Sequence, residues 1–442
     1  MGGRWRWVNG RTTRGPLTDE MRVSSNVVEN DRASLNDIIF NNGDGLENGR
    51  FKENFEFLNM AVGKWWHQQG LVADRLNELI LTVLDQVVLL PIHCSSEDDA
   101  LTIFETINNR GMALTDADIF KAKLYSVSPS KDIFIEKWQE LEKHEWLFRI
   151  HMHTMRAKHA DTSKEVGLRS YFSNKARLQL DYQYVMDSIK LYQAVWNWKA
   201  NTTISTLWLI LDTYPNYYWN FPLYTFLRRH GTTDSIGNFF LGEDKMAEFE
   251  SLVQEVFRFV YVKGVVYNSV NAIKDTIYKA NSLIWSGGDY ISEFRNSYST
   301  DLTEALRRFE QGDYGRYQRG FILLSALLNP KQDREQFLEV TQNNYHLEHI
   351  LPKKWNDYDG WTAESWEKWI NRIGNLVPLE WKLNISAKNE YFPRKQEKYT
   401  QSKVKDVQEL CSLSEWTETQ VAEREEILTE RFNEFFGGKL AL

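Results

Sequence analysis

The sequence predicts a mainly α-helical protein with small α+β parts, and three observations indicate this. Between residues 178 and 196, apolar residues recur at spacings of four and three, which is the period of one helix face. Four apolar residues over 249–260 repeat the pattern. The segments with strand character at 345–351 and 375–380 are short. We therefore expect amphipathic helices on a common core, followed by a small module that contains two strands.

The composition is typical of a globular protein with two or three domains. The chain has 442 residues, of which 42% are hydrophobic and 26% are charged. Lys and Arg total 53 and Asp and Glu total 61, which gives a formal net charge of −8. This acidic balance argues against a broadly basic nucleic-acid-binding protein, but it is compatible with a local basic patch.

Neither a membrane span nor a thiol-based metal site is expected. No apolar run approaches the roughly 20 residues of a transmembrane helix, and the N-terminus lacks the apolar core of a signal peptide. The two cysteines, Cys94 and Cys411, are far apart and form no Cys-x-x-Cys pair. This pattern favours a reducing, cytoplasmic location and no membrane partner.

Changes in composition divide the chain into three predicted parts, residues 1–130, 131–330 and 331–442. In the first part, a helix is expected to run into a short buried strand at 87–92. The middle part is expected to be helical. The last part contains the two short strands and ends in an acidic helical tail at 406–442.

A tight loop followed by a helix is also predicted in the first part. Asn108, Arg110 and Gly111 lie in the loop, where Gly allows positive φ and Asn tolerates it. Thr115 and Asp118 then form a variant capping box, which predicts a helix start. The residues of this helix expected to face inward are Ile119, Phe120 and Leu124. A plain turn and a loop that contacts a nucleotide both fit this pattern.

The strongest local pattern is the segment 346–352, with the sequence HLEHILP. In a strand, His346 and Glu348 share one face and His349 lies on the other. A carboxylate suits a hard ion such as Mg²⁺, and an imidazole that titrates near neutrality suits a general base. Taken alone, two such histidines are more typical of structural residues.

Two asparagines downstream change that interpretation. Asn375 opens the second predicted strand, and Asn384, nine residues later, starts a helix. An Asn carbonyl can bind a hard metal, and an Asn amide can hold a loop that carries a base. Glu-His on one strand, Asn opening the next and Asn starting a helix is the layout of a ββα-metal nuclease site. One ion would stabilise charge on the scissile phosphate while His349 activates water.

The other histidine cluster consists of His151, His153 and His159. No pattern of carboxylates organises these residues into a metal site. We therefore expect them to be solvated side chains.

A basic segment follows Asn384 directly. Residues 381–405 contain seven Lys or Arg and two Glu, a local charge of +5 in an acidic chain. A solvated helix face and the phosphate-contacting side of a DNA groove both fit, and the position after Asn384 favours the groove. The residues expected to contact DNA are Lys388, Arg394, Lys395 and Lys398. Lys388 is expected on the same helix face as Asn384, four residues further on.

Residues 345–399 resemble the HNH nuclease domain at the C-terminus of GmrSD-type, modification-dependent restriction enzymes. The matching pieces are 348–352, 373–376, 383–384 and the series Phe392, Lys395 and Tyr399. Residues 102–125 resemble a motif of that family's ParB/sulfiredoxin-like N-terminal domain. Its matching residues are Phe104, Glu105, Asn108, Arg110, Gly111, Leu114, Asp118 and Lys121. Two independent motifs in the expected order are more specific than either alone.

The resemblance implies roles for the residues of the HNH module. His349 resembles the general base, and Asn375 resembles the residue that orients the loop of the base. Glu348 and Asn384 resemble the ligands of a Mg²⁺ or Mn²⁺ ion. His346 has no role that the resemblance assigns.

The resemblance also concerns nucleotides, because the family's N-terminal domain binds and hydrolyses a nucleoside triphosphate (NTP). Asn108, Arg110 and Gly111 match part of that nucleotide pocket. Its arginine-containing entry motif and its Asp-Gly-Gln-Gln-Arg element do not occur in this sequence. We therefore expect the chain to begin partway through that domain and leave NTP binding open, with a partner subunit as one source of the missing motifs.

The predicted architecture is a partial ParB/sulfiredoxin-like piece, a helical middle and a C-terminal ββα-metal (HNH) module embedded in helices. The predicted function is a metal-dependent DNA endonuclease or nickase of a GmrSD-like anti-phage restriction system, with modified phage DNA as a candidate substrate. The alternative is a non-catalytic DNA-binding or regulatory subunit that needs a partner carrying the nucleotide-binding motifs.

Overall fold

The computed structural model describes part of the chain and divides it into two compact units, residues 1–140 and 141–442. The described residues are 5–8, 11–14, 33–38, 50–88, 115–173, 182–440 and 442. They are mostly helical and contain a few short strands, so the mainly α prediction is confirmed. Within this part of the chain, no helix has both the length and the apolar character that a membrane crossing requires.

The first unit contains one pair of antiparallel strands and several helices among its described residues. The strands are β1 (Trp5–Val8) and β2 (Arg11–Arg14). The helices are α1 (33–38), α2 (Arg50–Gln68), α3 (Ala73–Gln86), α4 (Asp116–Val127) and α5 (Lys131–Gln139).

The predicted capping box starts α4. The Thr115 side chain accepts a hydrogen bond from the Asp118 N–H at 3.2 Å, and the Asp118 carboxylate accepts one from the Thr115 N–H at 3.1 Å. The three residues expected to face inward, Ile119, Phe120 and Leu124, are buried. The prediction for this helix is therefore confirmed.

The strand predicted at 87–92 is not supported where the structure describes it. α3 ends at Gln86, and Val87 and Val88 belong to neither a helix nor a strand. The Val88 residue is 88% exposed, so it is not part of a buried strand. Residues 89–92 lie outside the described residues.

The second unit begins with a large helical region and ends with a small module. The region contains α6 (His144–Lys158), α7 (Leu168–Ser173), α8 (Tyr182–Ala194), α9 (Thr202–Leu211), α10 (Asn220–His230), the hairpin β3 (Gly231–Thr233) and β4 (Phe239–Leu241), α11 (Glu243–Tyr267), α12 (Lys274–Ser286), α13 (Tyr290–Glu310), α14 (Gln318–Leu327) and α15 (Arg334–Gln342). The module contains β5 (Tyr345–His349), α16 (Ala363–Trp369), β6 (Leu376–Glu380), α17 (Trp381–Ala387), α18 (Phe392–Tyr399), α19 (Lys405–Leu410) and α20 (Glu418–Phe436).

The helical periodicity identified in the sequence corresponds to the core. On α11, Phe249, Leu252, Val256 and Val260 are fully buried. On α8, Val185, Ile189 and Tyr192, which belong to the apolar series over 178–196, are likewise buried. The periodic stripes are therefore packing faces, as expected for amphipathic helices.

The histidine cluster corrects one expectation. His151 and His153 are each 2% exposed, so the interpretation as solvated side chains is wrong for both. His153 stacks on the ring of Phe221 with centroids 3.7 Å apart. Burial lowers the pKa of His151 to about 3, with a further contribution from the nearby Arg228 charge. Both side chains therefore act as uncharged core residues.

The acidic tail is docked in the core through an aromatic cluster. The Phe321 ring on α14 lies 4.8 Å from Phe309 and 5.3 Å from Phe432, measured between ring centroids. Phe436 lies 5.7 Å from the same ring. α20 therefore buries an aromatic face against α13 and α14.

Replacing Phe432 with Ala should lower the free energy of unfolding by about 3–5 kcal/mol, because a fully buried aromatic ring is removed from this cluster. The matched control is Ile427→Ala on the same helix, where the residue is 50% exposed and the cost should be about 0.5 kcal/mol or less. Urea unfolding followed by circular dichroism measures both. Equal costs for the two variants would contradict the described packing of α20.

Candidate active site

The candidate site is built on two antiparallel strands that a helix follows at once. β5 pairs with β6 in a register that places Glu348 opposite Val377 and His349 opposite Leu376. Both strands agree with the sequence prediction, with ends shifted by one or two residues. α17 begins at the residue after β6 ends. This direct connection brings Asn384 on α17 against Glu348 on β5.

The Glu348 carboxylate is the buried centre of the site, with 6% of the residue exposed. Its Oε1 accepts hydrogen bonds from Lys395 Nζ at 2.6 Å and from the Tyr399 hydroxyl at 2.9 Å. Its Oε2 accepts one from Asn384 Nδ2 at 2.9 Å. Three donors therefore compensate the loss of water around this buried charge.

Lys395 differs from its predicted role as a DNA contact. The residue is 1% exposed, and its Nζ donates to Glu348 and to the His349 carbonyl at 2.6 Å. Burial lowers the pKa of Lys395, while the Glu348 charge opposes that shift. In this conformation the Lys395 ammonium neutralises an internal carboxylate and is not available to a phosphate.

The Tyr399 hydroxyl stays protonated and acts as a donor. Burial, reinforced by the neighbouring Glu348 charge, raises the pKa of Tyr399 well above its usual range. Sequence reasoning named Lys395 and Tyr399 as matching pieces of a motif without giving them this function. Their spacing of four residues places both on one face of α18.

His346 lies at the exposed edge of the same network. Its Nδ1 is 3.2 Å from Asn384 Oδ1. Because Asn384 contacts both His346 and Glu348, the two strand residues share a face, as their alternation predicts.

The His349 side chain makes no contact with Glu348, Asn384 or Lys395 among the hydrogen bonds described above, and the residue is half-buried. Its Nε2 is 3.3 Å from Oδ1 of Asn371, an exposed residue in the connection between α16 and β6. Burial lowers the pKa of His349, and the nearby Lys353 and Lys395 charges act in the same direction, while the contact with Asn371 opposes the shift. Asn371 was missed in the sequence, because no periodicity or spacing distinguishes an asparagine in that connection.

Asn375 is fully buried and makes four hydrogen bonds with its side chain. Oδ1 accepts from the Leu351 N–H at 2.7 Å and from Trp416 Nε1 at 3.0 Å. Nδ2 donates to the carbonyls of Leu351 at 3.3 Å and Ile370 at 2.9 Å. The amide thus holds the backbone two residues after His349.

Arg424 on α20 is a second residue that sequence reasoning missed. Its Nη1 donates to the backbone carbonyls of Ile373, Gly374 and Leu376 at 2.8–3.1 Å. The same guanidinium forms an ion pair with the buried Asp406 at 3.5 Å. Gly374 is required here, since a Cβ would collide with the Val421 carbonyl of α20. The C-terminal helix therefore holds the start of β6 in place.

The side-chain oxygens of Glu348 and Asn384 fit one hard cation as ligands after a single change. Asn384 now points its Nδ2 at Glu348 and its Oδ1 at His346. Amide oxygen and nitrogen occupy nearly equivalent positions, so a half-turn of this amide would place two oxygens side by side. Mg²⁺ prefers oxygen ligands such as those of carboxylates and amides, and water molecules complete its coordination shell. Among the described residues, no three His, Cys, Asp or Glu side chains cluster as a metal site.

The remaining residues predicted to contact DNA are accessible to different degrees. The Lys388 residue and the Arg394 side chain are exposed, the latter by 79%, and the Lys398 side chain is 31% exposed. Lys388 differs from its predicted position, because α17 ends at Ala387 and Lys388 follows with a left-handed φ of 53°. It therefore does not continue the helix face of Asn384.

The predicted nucleotide-binding residues Asn108, Arg110 and Gly111 lie outside the described residues. The predicted boundaries at residues 130 and 330 stay predictions.

Fold and site together define a mainly helical protein with a small ββα module around a buried carboxylate. Comparison with protein families then gives two matches: residues 16–125 match the N-terminal domain of GmrSD restriction endonucleases, and residues 297–431 match their C-terminal domain. The two regions make up more than half of the sequence, and the chain belongs to the GmrSD restriction endonuclease family. This membership supports a nuclease of a restriction system, with DNA as its substrate. The comparison with curated proteins gave no match.

Asn375→Ala should lower the free energy of unfolding by at least about 2 kcal/mol, because it leaves the Leu351 N–H and the Trp416 indole N–H buried without an acceptor. Asn371→Ala is the matched control, since Asn371 is exposed and its loss should cost about 0.5 kcal/mol or less. Urea unfolding compares the two. Similar losses of unfolding free energy in the two variants would show that the Asn375 amide does not hold the backbone at Leu351.

Lys395→Met should destabilise the protein by about 3–5 kcal/mol, since it leaves the Glu348 charge buried without its cation. Adding Glu348→Gln to the same chain should recover part of that loss. Arg394→Met serves as the control, because its pair with Glu390 is exposed and should contribute less than about 1 kcal/mol. A double-mutant cycle without coupling between Glu348 and Lys395 would rule out this buried pair.

Proposed function

We propose that the module at 345–399 is an HNH-type endonuclease or nickase that hydrolyses DNA with one divalent ion. The observation that carries this proposal is the junction of β5, β6 and α17, where Glu348 and Asn384 meet beside His349. Family membership supports the nuclease class, and the ββα order of the module supports this particular mechanism. The substrate we propose is modified phage DNA, as the resemblance to modification-dependent enzymes suggests.

His349 is the proposed general base. If Nε2 carries the proton and donates to Asn371 Oδ1, Nδ1 keeps a lone pair that can accept a proton from water. The burial that lowers the pKa of His349 favours the neutral imidazole that this role requires. Asn375 acts as a positioning residue, because its bonds to Leu351 hold the chain directly after His349.

Glu348 and Asn384 are the residues that would hold the ion. When bound, Mg²⁺ or Mn²⁺ supplies electrostatic stabilisation of the negative charge that develops at the scissile phosphate. Lys395 and Tyr399 hold the Glu348 carboxylate by Oε1, which leaves Oε2 as the oxygen directed at Asn384. The chain thus orients a carboxylate oxygen before any ion arrives.

The exposed cations of the module give it a surface for the DNA backbone. Lys388 and Arg394 are exposed, and Lys398 is partly exposed. Phosphate contacts of this kind position a duplex without reading its sequence. These exposed cations would let the module bind DNA although the net charge of the whole chain is negative.

A second candidate is a non-catalytic DNA-binding or regulatory subunit of a restriction system. Protein donors contact both Glu348 oxygens, which is the observation that favours it. Such a subunit would retain salt-sensitive DNA binding and would need a partner with the nucleotide-binding motifs. Robust cleavage by the purified chain alone would exclude this candidate.

His349→Ala should reduce the rate of plasmid cleavage by about 10²–10⁴-fold, the usual contribution of a general base, while DNA binding stays unchanged. The assay follows conversion of supercoiled plasmid in Mg²⁺ or Mn²⁺. His159→Ala is the matched control, because His159 is exposed and lies outside the module. A His349→Ala variant that cleaves as well as the unmodified chain would contradict the mechanism.

The Asn384→Asp variant tests whether a divalent ion binds at Glu348 and residue 384, without a cleavage assay. It replaces a donor 2.9 Å from Glu348 Oε2 with a second carboxylate, so like charges should lower Tm when EDTA is present. Mg²⁺ or Mn²⁺ should restore Tm, and by more than it raises Tm of the unmodified chain. Asn371→Asp, at an exposed position, should show no such ion dependence. If the ions leave Tm of Asn384→Asp unchanged, they do not bind between these residues.

A further inference from the structure

A cavity in the helical region of the second unit plays no part in the candidate active site. It encloses about 300 Å³, the lower end of the range for small-molecule pockets, which is about 300–1,000 Å³. Four of its lining residues are aromatic and three carry polar side chains. The lining residues that matter here are Trp196, Trp198, Trp208, Asp212, Tyr224 and Gln342.

The aromatic walls are held by the core behind them. Trp198 and Trp208 both pack on the buried Phe249 ring, with centroids 5.9 and 6.1 Å away. The ring of Tyr224 meets Trp208 edge to face at 5.9 Å. The Tyr224 hydroxyl accepts a hydrogen bond from Trp196 Nε1 at 3.0 Å. A cavity with walls fixed in this way is suited to a flat aromatic ring.

Two polar side chains, Asp212 and Gln342, also line the cavity. Asp212 follows Trp208 by four residues at the end of α9, and Gln342 is the last residue of α15. The Asp212 residue keeps an exposed surface, and desolvation by the surrounding side chains raises the pKa of its carboxyl to about 6, against the effect of the nearby Lys143 charge. The carboxylate and the amide together offer acceptors and donors. The edge of a nucleobase presents hydrogen-bond donors and acceptors that are complementary to these groups.

A cation lies beside one of the aromatic residues that line the cavity. Lys143 Nζ lies 5.3 Å from the centroid of the Trp196 ring, and the Lys143 residue is exposed. An exposed ammonium beside an aromatic wall can attract the phosphate attached to a bound nucleoside. The cavity therefore offers aromatic rings for stacking and polar side chains for hydrogen bonds, with a cation beside Trp196 for the phosphate backbone.

We propose that this cavity binds a nucleobase that has left the DNA stack. The proposal rests on the proposed function, because DNA must be the substrate. Unstacked bases are recognised by stacking on aromatic side chains and by hydrogen bonds to their polar edge. α15 also links the cavity to the module, since β5 begins three residues after Gln342. A base bound here would hold DNA beside the strand that carries Glu348 and His349.

The test compares two fluorescein-labelled duplexes that differ at one position. One has an unpaired, extrahelical base, and the other has an abasic site in its place. The full chain carries His349→Ala and is assayed in EDTA by fluorescence anisotropy, so no cleavage interferes. We expect tighter binding of the first duplex by about fivefold to a hundredfold, the range for stacking one base on aromatic side chains.

Pocket variants then locate the preference. Trp196→Ala removes part of the wall, Gln342→Ala removes an exposed polar group, and Ala200→Phe fills the cavity without deleting a core contact. Each should bring the affinity ratio of the two duplexes towards one. Tyr217→Ala is the matched control, because it removes an aromatic residue that is 65% exposed and does not line the cavity. Its ratio should stay unchanged.

Three results would overturn the proposal. The first is equal affinity for the two duplexes, and the second is a preference that survives both Trp196→Ala and Ala200→Phe. The third is displacement of either duplex by a free nucleoside triphosphate without any preference for the extrahelical base, which would assign the cavity to a free nucleotide. Binding and cleavage are measured separately. Equal affinity for the two duplexes would therefore overturn the base-binding proposal without affecting the proposed nuclease function. A failure to cleave plasmid DNA would overturn the nuclease function without affecting the binding result.

Discussion

The structure of the candidate site depends on one buried carboxylate. Glu348 is 6% exposed, and an ionised side chain in such a place requires opposite charge and hydrogen bonds. Lys395 supplies the charge, and Tyr399 and Asn384 supply further donors. Since these residues come from α18 and α17, the charge on β5 fixes both helices against the strand. The ββα arrangement is thus held by electrostatics as well as by packing.

A second set of contacts fixes the chain that follows His349. The buried amide of Asn375 binds Leu351, and Trp416 and Arg424 bind the segment around Asn375 from the C-terminal side. α20 is therefore part of the scaffold of the site rather than a detached tail. The aromatic residues that anchor it in the core also hold these polar contacts at their positions. Stability and site geometry depend on the same helix.

The sequence predicted those features that local physics determines. The Thr115 and Asp118 capping box and the apolar period of α11 depend on neighbours within a few residues, and both are confirmed. The order of strand, strand and helix in the module was also evident. The recognition of the family depended on two motifs far apart in the chain, and both domain matches agree with it.

Features that depend on three-dimensional surroundings were not predictable in the same way. Arg394 and Lys395 are adjacent in one basic run, yet one side chain is 79% exposed and the other 1%, because α18 turns one of them towards Glu348. Charge counting cannot distinguish the two. His151 is buried, and its ring lies beside those of Phe172 and Tyr192, which follow it in the chain by 21 and 41 residues. Asn371 gave no signal because its partner is His349, 22 residues away.

Chemical rescue tests most directly the proposal that the imidazole of His349 accepts the proton during DNA cleavage. His349→Gly should cleave plasmid poorly in Mg²⁺ or Mn²⁺, and free imidazole should restore part of the rate, because it can occupy the space of the missing ring. His159→Gly should neither lose activity nor respond to imidazole, since His159 is exposed outside the module. A His349→Gly chain that remains fully active, or one that imidazole at any concentration fails to restore, would contradict this role.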